Sequence, residues 1–381
     1  MAASPYDGLD ARAYWRTAVA SRGPGRLRGL YDPRWPITRD MPVFTAGSCF
    51  AQHVHRALKA AGFSVIETEP APSGVPEDVA SRFFYGTFSA RYGNIYNPRQ
   101  FRQLLEEAAG TFAPAHPVWS RGGSFYDAIR PNVDPGGFGT PEAVALSRAD
   151  HLHAVLGGIR RARVVVFTLG LSETWEERAT GTVYPTAPGV IADAPDGADI
   201  GFVSLGHDDI VEDVRGFLAH LRALNPEVKL LLTVAPGPLV ATAGGGHVLV
   251  ASTAGKAILR AAADTLIRGD AGIDYFPSYE IITNPAAKGT FYAPNLRNPT
   301  PKGVSVVMGQ FMAAHGGTAL APQAVPPVAV DTHDEDDNAV ICEEMMNDPG
   351  LAHKAGFARK ADLVRKHGLA RKADLAPTGD A

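Results

Sequence analysis

The chain has 381 residues, of which 45% are hydrophobic and 20% are charged, and its formal net charge is −4. A chain of this length and composition can bury a large core, and its nearly balanced charge gives no overall reason to expect binding to nucleic acid or to an anionic membrane. No window approaches 18 uninterrupted apolar residues and the N-terminus has no apolar core of signal-peptide length, so neither a membrane span nor a secretion signal is expected.

Strands and helices alternate in the predicted order of elements. Short apolar runs predict strands at residues 41–46, 164–169, 230–234 and 273–276, with a weaker candidate at 64–67. Helical patterns cover residues 50–61, 98–109, 141–161, 208–224, 248–267 and 301–314. The apolar runs are continuous rather than alternating, as expected of strands that are buried on both faces. This order predicts an α/β fold, a three-layer α/β/α sandwich around a central parallel sheet.

Two long stretches do not fit a minimal sheet core. Residues 112–140 are rich in glycine, proline and aromatic side chains, and residues 174–206 contain a hairpin signal with little helical pattern. Long loops inside a compact domain are more often functional than accidental, so we predict that both insertions form walls of a pocket. The alternative is that they are solvent-exposed decoration.

The composition changes beyond the last predicted helix, which divides the chain into three parts. We predict an N-terminal segment packed on the core (1–40), the α/β domain (41–321), and a linker with a tail (322–381). The tail holds an acidic run, residues 331–348, with eight acidic residues and no Lys or Arg, and then a six-residue repeat that ends at Leu375. A period of six is neither a helical nor a flat-strand period, so we expect the tail to be flexible.

The basic pairs of the repeat, such as Arg359-Lys360, have two interpretations. They could form an arm that binds a protein or another anionic partner. Alternatively, they pair with the acidic run of the same chain, and this interpretation is favoured.

The two cysteines, Cys49 and Cys342, do not suggest a disulfide framework, so a reducing compartment and a cytoplasmic location are the simpler expectation.

The first motif that carries chemistry is GSCFAQ, residues 47–52, at the junction of a predicted strand and a predicted helix. The N–H groups at a helix N-terminus point outward and favour negative charge. The hydroxyl of Ser48 is well placed there to attack an acyl carbon, and the N–H groups after it, beginning with Cys49, could receive the developing oxyanion. The alternative is that Ser48 only caps the helix, a common role for serine.

This motif resembles the signature of the GSCFA family, a branch of the SGNH/GDSL hydrolase-like fold. Further segments resemble family blocks in the same order: TFSARYGNIYNPRQ (87–100), DAIRP (127–131), VFTLGLSETW (166–175), TVAPGPLVAT (233–242), HVLVASTAGKAILR (247–260) and YFPSYEII (275–282). The resemblance covers most of the chain, from residue 31 to residue 311, and the combination is specific. It implies an SGNH/flavodoxin-like sandwich and an ester-active enzyme, either an esterase or an O-acyltransferase.

The similarity of the family to SGNH hydrolases implies roles for single residues. Ser48 is the implied nucleophile, and Cys49 follows it at an oxyanion position. Gly93, or Asn94 beside it, best matches the glycine that helps to build the oxyanion hole, and Ser172 lies near the asparagine position. Serine, like asparagine, can donate a hydrogen bond, and therefore a serine at the asparagine position is tolerable. The alternatives are that Gly93 only permits a turn and that Ser172 only caps a helix.

The last block departs from the family pattern, in which an Asp-x-x-His sequence supplies the base and the residue that orients it. Residues 291–304 read FYAPNLRNPTPKGV, so Asn295 stands at the Asp position and Asn298 stands at the His position. Asparagine cannot accept a proton near neutral pH, and a serine without a base is a poor nucleophile. The resemblance therefore implies that the standard Ser–His–Asp mechanism is broken here.

Another residue could supply the base. His247 and Glu173 rank highest, because each follows a predicted strand on the edge where doubly wound sheets build their sites. Weaker candidates are His53, His207 and Lys256. Cys49 could also replace Ser48 as the nucleophile, since thiols at a helix N-terminus are activated. For each lone histidine the alternative is a structural role.

Aromatic side chains cluster in the predicted pocket loops, namely Tyr92, Tyr96, Trp119, Phe125, Tyr126 and Trp175. Such rings could stack on a sugar or on an apolar acyl group, and we expect Tyr92 and Trp175 to contact the substrate together with Asn295 and Asn298. The alternative is that the aromatic rings form the core of those loops. No phosphate-binding glycine loop and no zinc-type Cys/His spacing is present, so neither a cofactor nor a metal is expected.

Two functions remain open from the sequence. The first is an ester-active enzyme on a carbohydrate or acylated metabolite, which uses Ser48 with a non-standard base. The second is a catalytically degenerate hydrolase-fold protein that binds a small-molecule or carbohydrate ligand and recruits a partner through its tail. Burial of Ser48, or the absence of a base within hydrogen-bond reach of it, would count against the first.

Overall fold

The computed structural model describes residues 4–316, so the predictions for the acidic run and the basic repeat lie outside the described residues. The strands are β1 (Val43–Gly47), β2 (Val118–Arg121), β3 (Ser124–Asp127), β4 (Val164–Leu169), β5 (Glu173–Glu177), β6 (Val183–Tyr184), β7 (Ile200–Ser204), β8 (Lys229–Val234) and β9 (Ile273–Tyr275). The helices are α1 (Cys49–Ala60), α2 (Glu77–Arg82), α3 (Pro98–Ala108), α4 (Pro141–Arg161), α5 (His207–Leu224), α6 (Val248–Gly269), α7 (Ser278–Thr283) and α8 (Pro301–Ala314). Among these described helices, none is both long and apolar enough to cross a membrane.

The central sheet has four parallel strands in the order β1-β4-β8-β9. All six residues of β4 are buried, because the sheet is covered on both faces. Val164 and Val166 pack in a cluster with side chains of α1, α7 and α8, whereas Val165 and Phe167 pack with side chains of α3, α4, α5 and α6. The predicted three-layer α/β/α sandwich is therefore confirmed.

The weak strand candidate at residues 64–67 is wrong as a strand. Only Val65 pairs with the sheet, in a single parallel bridge to Val43 of β1. The next pairing position of β1 is already occupied, since the Oγ of Ser89 accepts a hydrogen bond from the N–H of Thr45 at 2.9 Å. The N–H of Thr68 consequently donates to the carbonyl of Ser89, also at 2.9 Å, and the chain leaves the sheet edge.

The two insertions form a small folded unit of their own. β2 and β3 make an antiparallel hairpin, and β5 to β7 make an antiparallel sheet in the order β6-β5-β7, which confirms the predicted hairpin signal. A bridge between Ser120 and Asp193 joins the two insertions. Trp119 and Tyr184 are fully buried between them with ring centroids 4.9 Å apart. Their role as walls of a pocket stays a prediction.

The N-terminal segment is anchored on the layer that contains α8. Trp35 and Ile37 are buried there. The hydroxyl of Tyr31 donates to a carboxylate oxygen of Asp274 at 2.9 Å, and the N–H of Ile37 donates to Nδ1 of His315 at 3.2 Å. These contacts hold residues 31–37 against β9 and the end of α8.

Two adjacent glycines of α4 are expected to respond in opposite directions to alanine. A Cβ at Gly158 would lie 2.7 Å from a ring carbon of Phe44, whereas a Cβ at Gly157 would meet nothing within 4 Å. We expect Gly158→Ala to lower the free energy of unfolding by about 1–3 kcal/mol through overpacking. Gly157→Ala should raise it by about 0.5–1 kcal/mol, because alanine favours the helix. Urea unfolding midpoints measure both effects, and equal midpoints would contradict the packing of α4 on β1.

Candidate functional site

Ser48 lies at the junction of β1 and α1. Gly47 has a φ of 134°, and a Cβ there would lie 2.5 Å from the carbonyl oxygen of Thr168, so the position requires glycine. The N–H of Ser48 donates to that same carbonyl at 3.1 Å. Ser48 is the N-cap residue of α1, but its side chain makes no capping hydrogen bond. The hydroxyl therefore does not have the structural role that the sequence left open for it.

The hydroxyl of Ser48 is enclosed by the chain after β4. Ser48 is 2% exposed, and within residues 4–316 its Oγ is a buried atom without a hydrogen-bond partner. Gly170 packs directly on it, since a Cβ at position 170 would lie 2.5 Å from the Cβ of Ser48 and 3.1 Å from its Oγ. The N–H groups of Gly170 and Leu171 both donate to the carbonyl of Tyr96 at 2.9 Å. Three separate parts of the chain thus meet at Ser48.

The predicted glycine block runs along the end of β1. The N–H of Ile95 donates to the carbonyl of Gly47 at 2.9 Å, and Gly93 has a φ of 72°, which favours glycine. The side chain of Asn94 is buried and its Oδ1 accepts a hydrogen bond from Gln52 of α1 at 2.9 Å. The block is therefore beside Ser48, as the predicted oxyanion role of Gly93 or Asn94 requires.

Ser172 is also buried near this junction, against α6. A Cβ at Gly255 would lie 2.7 Å from the Oγ of Ser172. Lys256, the next residue of α6, is buried and donates from Nζ to the carbonyl of Gly170 at 2.7 Å. This pair on α6 therefore holds the segment that packs on Ser48. The sequence indicates Lys256 only as a possible base. No sequence pattern indicates that Gly255 packs on Ser172.

The two highest-ranked base candidates have other partners. Nδ1 of His247 accepts a hydrogen bond from the N–H of Leu249 at 3.1 Å, so the exposed imidazole caps α6. Glu173 is half-buried, and its Oε1 accepts a hydrogen bond from the hydroxyl of Thr242 at 2.8 Å. Both side chains lie at the carboxyl edge of the sheet, and neither hydrogen-bonds to Ser48.

The remaining histidine candidates are also engaged elsewhere. His53 is partly buried on α1, where burial and then Arg56 lower its pKa to about 3. Its ring packs edge-to-face on Phe50. His207 contacts the carboxylate of Asp208 at 2.8 Å and the hydroxyl of Thr265 at 3.0 Å. These contacts give the two histidines structural roles.

Asn295 and Asn298 close a turn at the same edge of the sheet. The Oδ1 of Asn295 accepts hydrogen bonds from the N–H groups of Arg297 and Asn298, each at 3.0 Å. Arg297 donates from Nε to the carbonyl of Pro238 at 3.1 Å, and the hydroxyl of Tyr292 donates to the carbonyl of Pro236 at 2.8 Å. The turn is thereby fixed to the loop that follows β8.

The two predicted substrate-binding aromatics are packed within the fold. Tyr92 is buried, its hydroxyl donates to the carbonyl of Thr45, and burial raises its pKa. Trp175 is partly buried and packs edge-to-face on Phe202 with ring centroids 6.0 Å apart. These contacts correspond to the alternative in which the aromatic rings form the core of the loops.

The arrangement supplies a buried serine at a helix N-terminus, and two chain segments that pack against it. It lacks a proton acceptor for that serine, because no side chain of residues 4–316 hydrogen-bonds to the Oγ of Ser48. Over the same residues, no group of three or more His, Cys, Asp or Glu side chains could hold a metal ion. The hydroxyl of Ser48 is therefore enclosed, and in this arrangement none of the described side chains is placed to accept its proton.

Comparisons with known proteins give a family and distant structural neighbours. The model of the GSCFA family matches residues 42–311. A carbohydrate esterase of family 3 from Talaromyces cellulolyticus is similar with 12% identity and a TM-score of 0.33, over 71% of this chain and 94% of that chain. An acetyl esterase variant with a bound acetate ion is similar with 13% identity and a TM-score of 0.32, over 71% of this chain and 93% of that one. An acetyl xylan esterase from Butyrivibrio proteoclasticus has 12% identity and a TM-score of 0.28, over 73% of this chain and 64% of that chain. No curated protein matches the sequence.

Proposed function

The chain belongs to the GSCFA family, and we propose that it is a catalytically degenerate hydrolase-fold protein that binds a small-molecule or carbohydrate ester at Ser48 without efficient turnover. One observation carries this proposal. The Oγ of Ser48 is buried and has no hydrogen-bond partner among residues 4–316, so no described base stands within reach of its proton. A serine without a base is a poor nucleophile.

The surroundings of Ser48 favour an ester as the ligand. Ser48 precedes the first turn of α1, a helix of 12 residues. The helix dipole at such an end favours an oxygen with partial negative charge, such as an ester carbonyl. The Ser48 hydroxyl can donate a hydrogen bond to the same oxygen. Asn295 and Asn298 are neutral amides, which both donate and accept, and this suits the hydroxyl groups of a sugar.

A second candidate is an esterase or O-acyltransferase in which Ser48 works with a non-standard base. Two observations favour it. The hydroxyl of Ser48 has no structural hydrogen bond in residues 4–316, and Nζ of Lys256 is bound to the carbonyl of Gly170, the residue that packs on Ser48. In this mechanism, ligand binding would have to bring Lys256 or Glu173 to the Oγ of Ser48.

Labelling with a fluorophosphonate probe, together with hydrolysis of p-nitrophenyl acetate, separates the two candidates. We expect the unaltered chain to hydrolyse the ester no faster than Ser48→Ala does, because the hydroxyl has no proton acceptor. Peptide mass spectrometry should find no adduct at Ser48, while far-UV circular dichroism confirms that both chains are folded. Labelling at Ser48, with repeated turnover that Ser48→Ala abolishes, would overturn the degenerate assignment in favour of the enzyme.

A further inference from the structure

The N-terminal segment presents an exposed patch of aromatic and apolar side chains. Trp15 is 65% exposed and Tyr6 is 68% exposed, and Leu9 and Tyr14 are exposed beside them. The hydroxyl of Tyr14 donates to the carbonyl of Tyr6, which holds these two residues together. Large aromatic side chains at such exposure are unusual unless they take part in an interaction.

The N-terminal segment that carries these side chains is also basic. Residues 4–30 contain five arginines and two aspartates. Arg12 pairs with Asp32 at 2.6 Å, whereas no ion pair forms within residues 4–316 for four exposed arginines, Arg16, Arg22, Arg26 and Arg28. We call these four arginines, with Tyr6, Leu9, Tyr14 and Trp15, the N-terminal patch. Arginine beside exposed aromatic rings is typical of binding surfaces. The patch therefore favours an occupant that is both acidic and apolar.

One segment of this chain has both properties. The acidic run, residues 331–348, contains eight acidic residues and no Lys or Arg. It also contains four large apolar residues among the acids, namely Val340, Ile341, Met345 and Met346. Its carboxylates complement the four arginines, and its apolar side chains complement the exposed rings.

The acidic run also starts close enough to reach the patch. The described chain ends at Gly316, just after α8. α8 lies against the N-terminal segment, because Gln310 donates from Nε2 to the carbonyl of Leu27 at 3.1 Å. The chain between Gly316 and Asp331 can span at most about 50 Å when extended, which exceeds the separation of neighbouring surfaces on one domain.

We propose that the N-terminal patch is the docking surface for the acidic run of the same chain, residues 331–348. The carboxylates of the run pair with the exposed arginines, and its apolar side chains cover Trp15 and Tyr14. This assignment competes with the pairing between the acidic run and the basic repeat that the sequence alone favours. It is independent of the proposed function at Ser48.

Disulfide trapping in the full chain tests this docking, because Cys342 already lies in the acidic run. Ala13 is exposed between Arg12 and Tyr14, and Ala109 is exposed at the end of α3, which packs on the opposite face of the sheet from α8. With Cys49→Ser in the background, the variants Ala13→Cys and Ala109→Cys are oxidised in dilute solution. We expect the 13–342 disulfide to form at least about tenfold faster than the 109–342 disulfide, because docking raises the effective concentration.

Two further arms test the chemistry and the occupant. High salt, or replacement of Asp334, Asp336 and Asp337 by asparagine, should slow trapping at position 13, because exposed ion pairs are screened or lost. Equal rates at positions 13 and 109 would overturn the proposal. Cross-links between chains would instead assign the patch to a second copy. Rapid trapping only after the basic pairs of the repeat are changed to glutamine would show that the repeat holds the run, and this too would overturn docking.

Discussion

Asn295→Asp together with Asn298→His is expected to raise the hydrolysis of p-nitrophenyl acetate by about 100-fold or more, because a positioned general base typically contributes 10²–10⁴-fold. A histidine at position 298 would supply the proton acceptor that Ser48 lacks. An aspartate at position 295 would hold the imidazole in the required tautomer and orientation. The gain should be largest above the ordinary pKa of histidine, where the imidazole is neutral.

The turn that carries these two residues can accept both substitutions. The Oδ1 of Asn295 accepts hydrogen bonds from the N–H groups of Arg297 and Asn298, each at 3.0 Å, and an aspartate oxygen can accept the same two. The position of the turn depends on Tyr292 and Arg297, which donate to carbonyls of the loop after β8. The side chain of Asn298 accepts from Nη1 of Arg297 at 3.5 Å and takes no part in the contact that Tyr292 makes.

Matched variants isolate the contribution of the restored pair. Addition of Ser48→Ala to the double variant should remove the whole gain, and Asn298→His alone should give a smaller gain because the imidazole has no carboxylate to orient it. Initial rates are compared at equal protein concentration after circular dichroism has shown that each variant is folded. A folded double variant without a Ser48-dependent gain would mean that positions 295 and 298 do not face Ser48, and the degenerate-hydrolase proposal would lose its explanation for the missing base.

The six longer helices could be predicted to within two residues, whereas the two six-residue helices α2 and α7 were not predicted. α4 and α8 begin as predicted, because Thr140 and Thr300 each cap the N-terminus and a proline follows each of them. β4 also has its predicted bounds, since a strand buried on both faces appears as one continuous apolar run. These signals need no knowledge of distant parts of the chain.

The chemistry at the sheet edge could be predicted less well, because it depends on contacts between distant segments. Because each follows a predicted strand, Glu173 and His247 were placed at the correct edge of the sheet. Their partners were not predictable, since Glu173 hydrogen-bonds to Thr242, 69 residues away, and His247 caps its own helix. Gly170 packs tightly on Ser48, and Gly255 packs tightly on Ser172. The sequence does not predict either contact, because a glycine that leaves space for a distant side chain cannot be distinguished in the sequence from a glycine that permits a turn.

The DAIRP segment, residues 127–131, resembles a family block and contacts the chain just before the glycine block. Asp127 is fully buried, and its carboxylate accepts hydrogen bonds from Nε of Arg130 at 2.7 Å and from Nη1 of Arg148 at 3.3 Å. Arg130 also donates to the carbonyl of Arg91 at 3.2 Å, directly before the predicted glycine block. Burial alone would raise the pKa of Asp127, but Arg148 and Arg130 together lower it. This ion network therefore holds the segment that packs beside Ser48.

Asp127→Ala is expected to lower the free energy of unfolding by about 3–5 kcal/mol, because it leaves the charges of two buried guanidinium groups only partly compensated. Asp127→Asn keeps the shape and removes the charge, so most of the loss should remain in that variant. Asp193→Ala is the matched control, since its ion pair with Arg121 is exposed and such pairs contribute at most about 1 kcal/mol. Urea unfolding monitored by tryptophan fluorescence gives the three values. The proposed role of the buried charge would be wrong if Asp127→Asn lowered the free energy of unfolding no more than Asp193→Ala does. The shape of the Asp127 side chain, rather than its charge, would then hold this segment beside the glycine block.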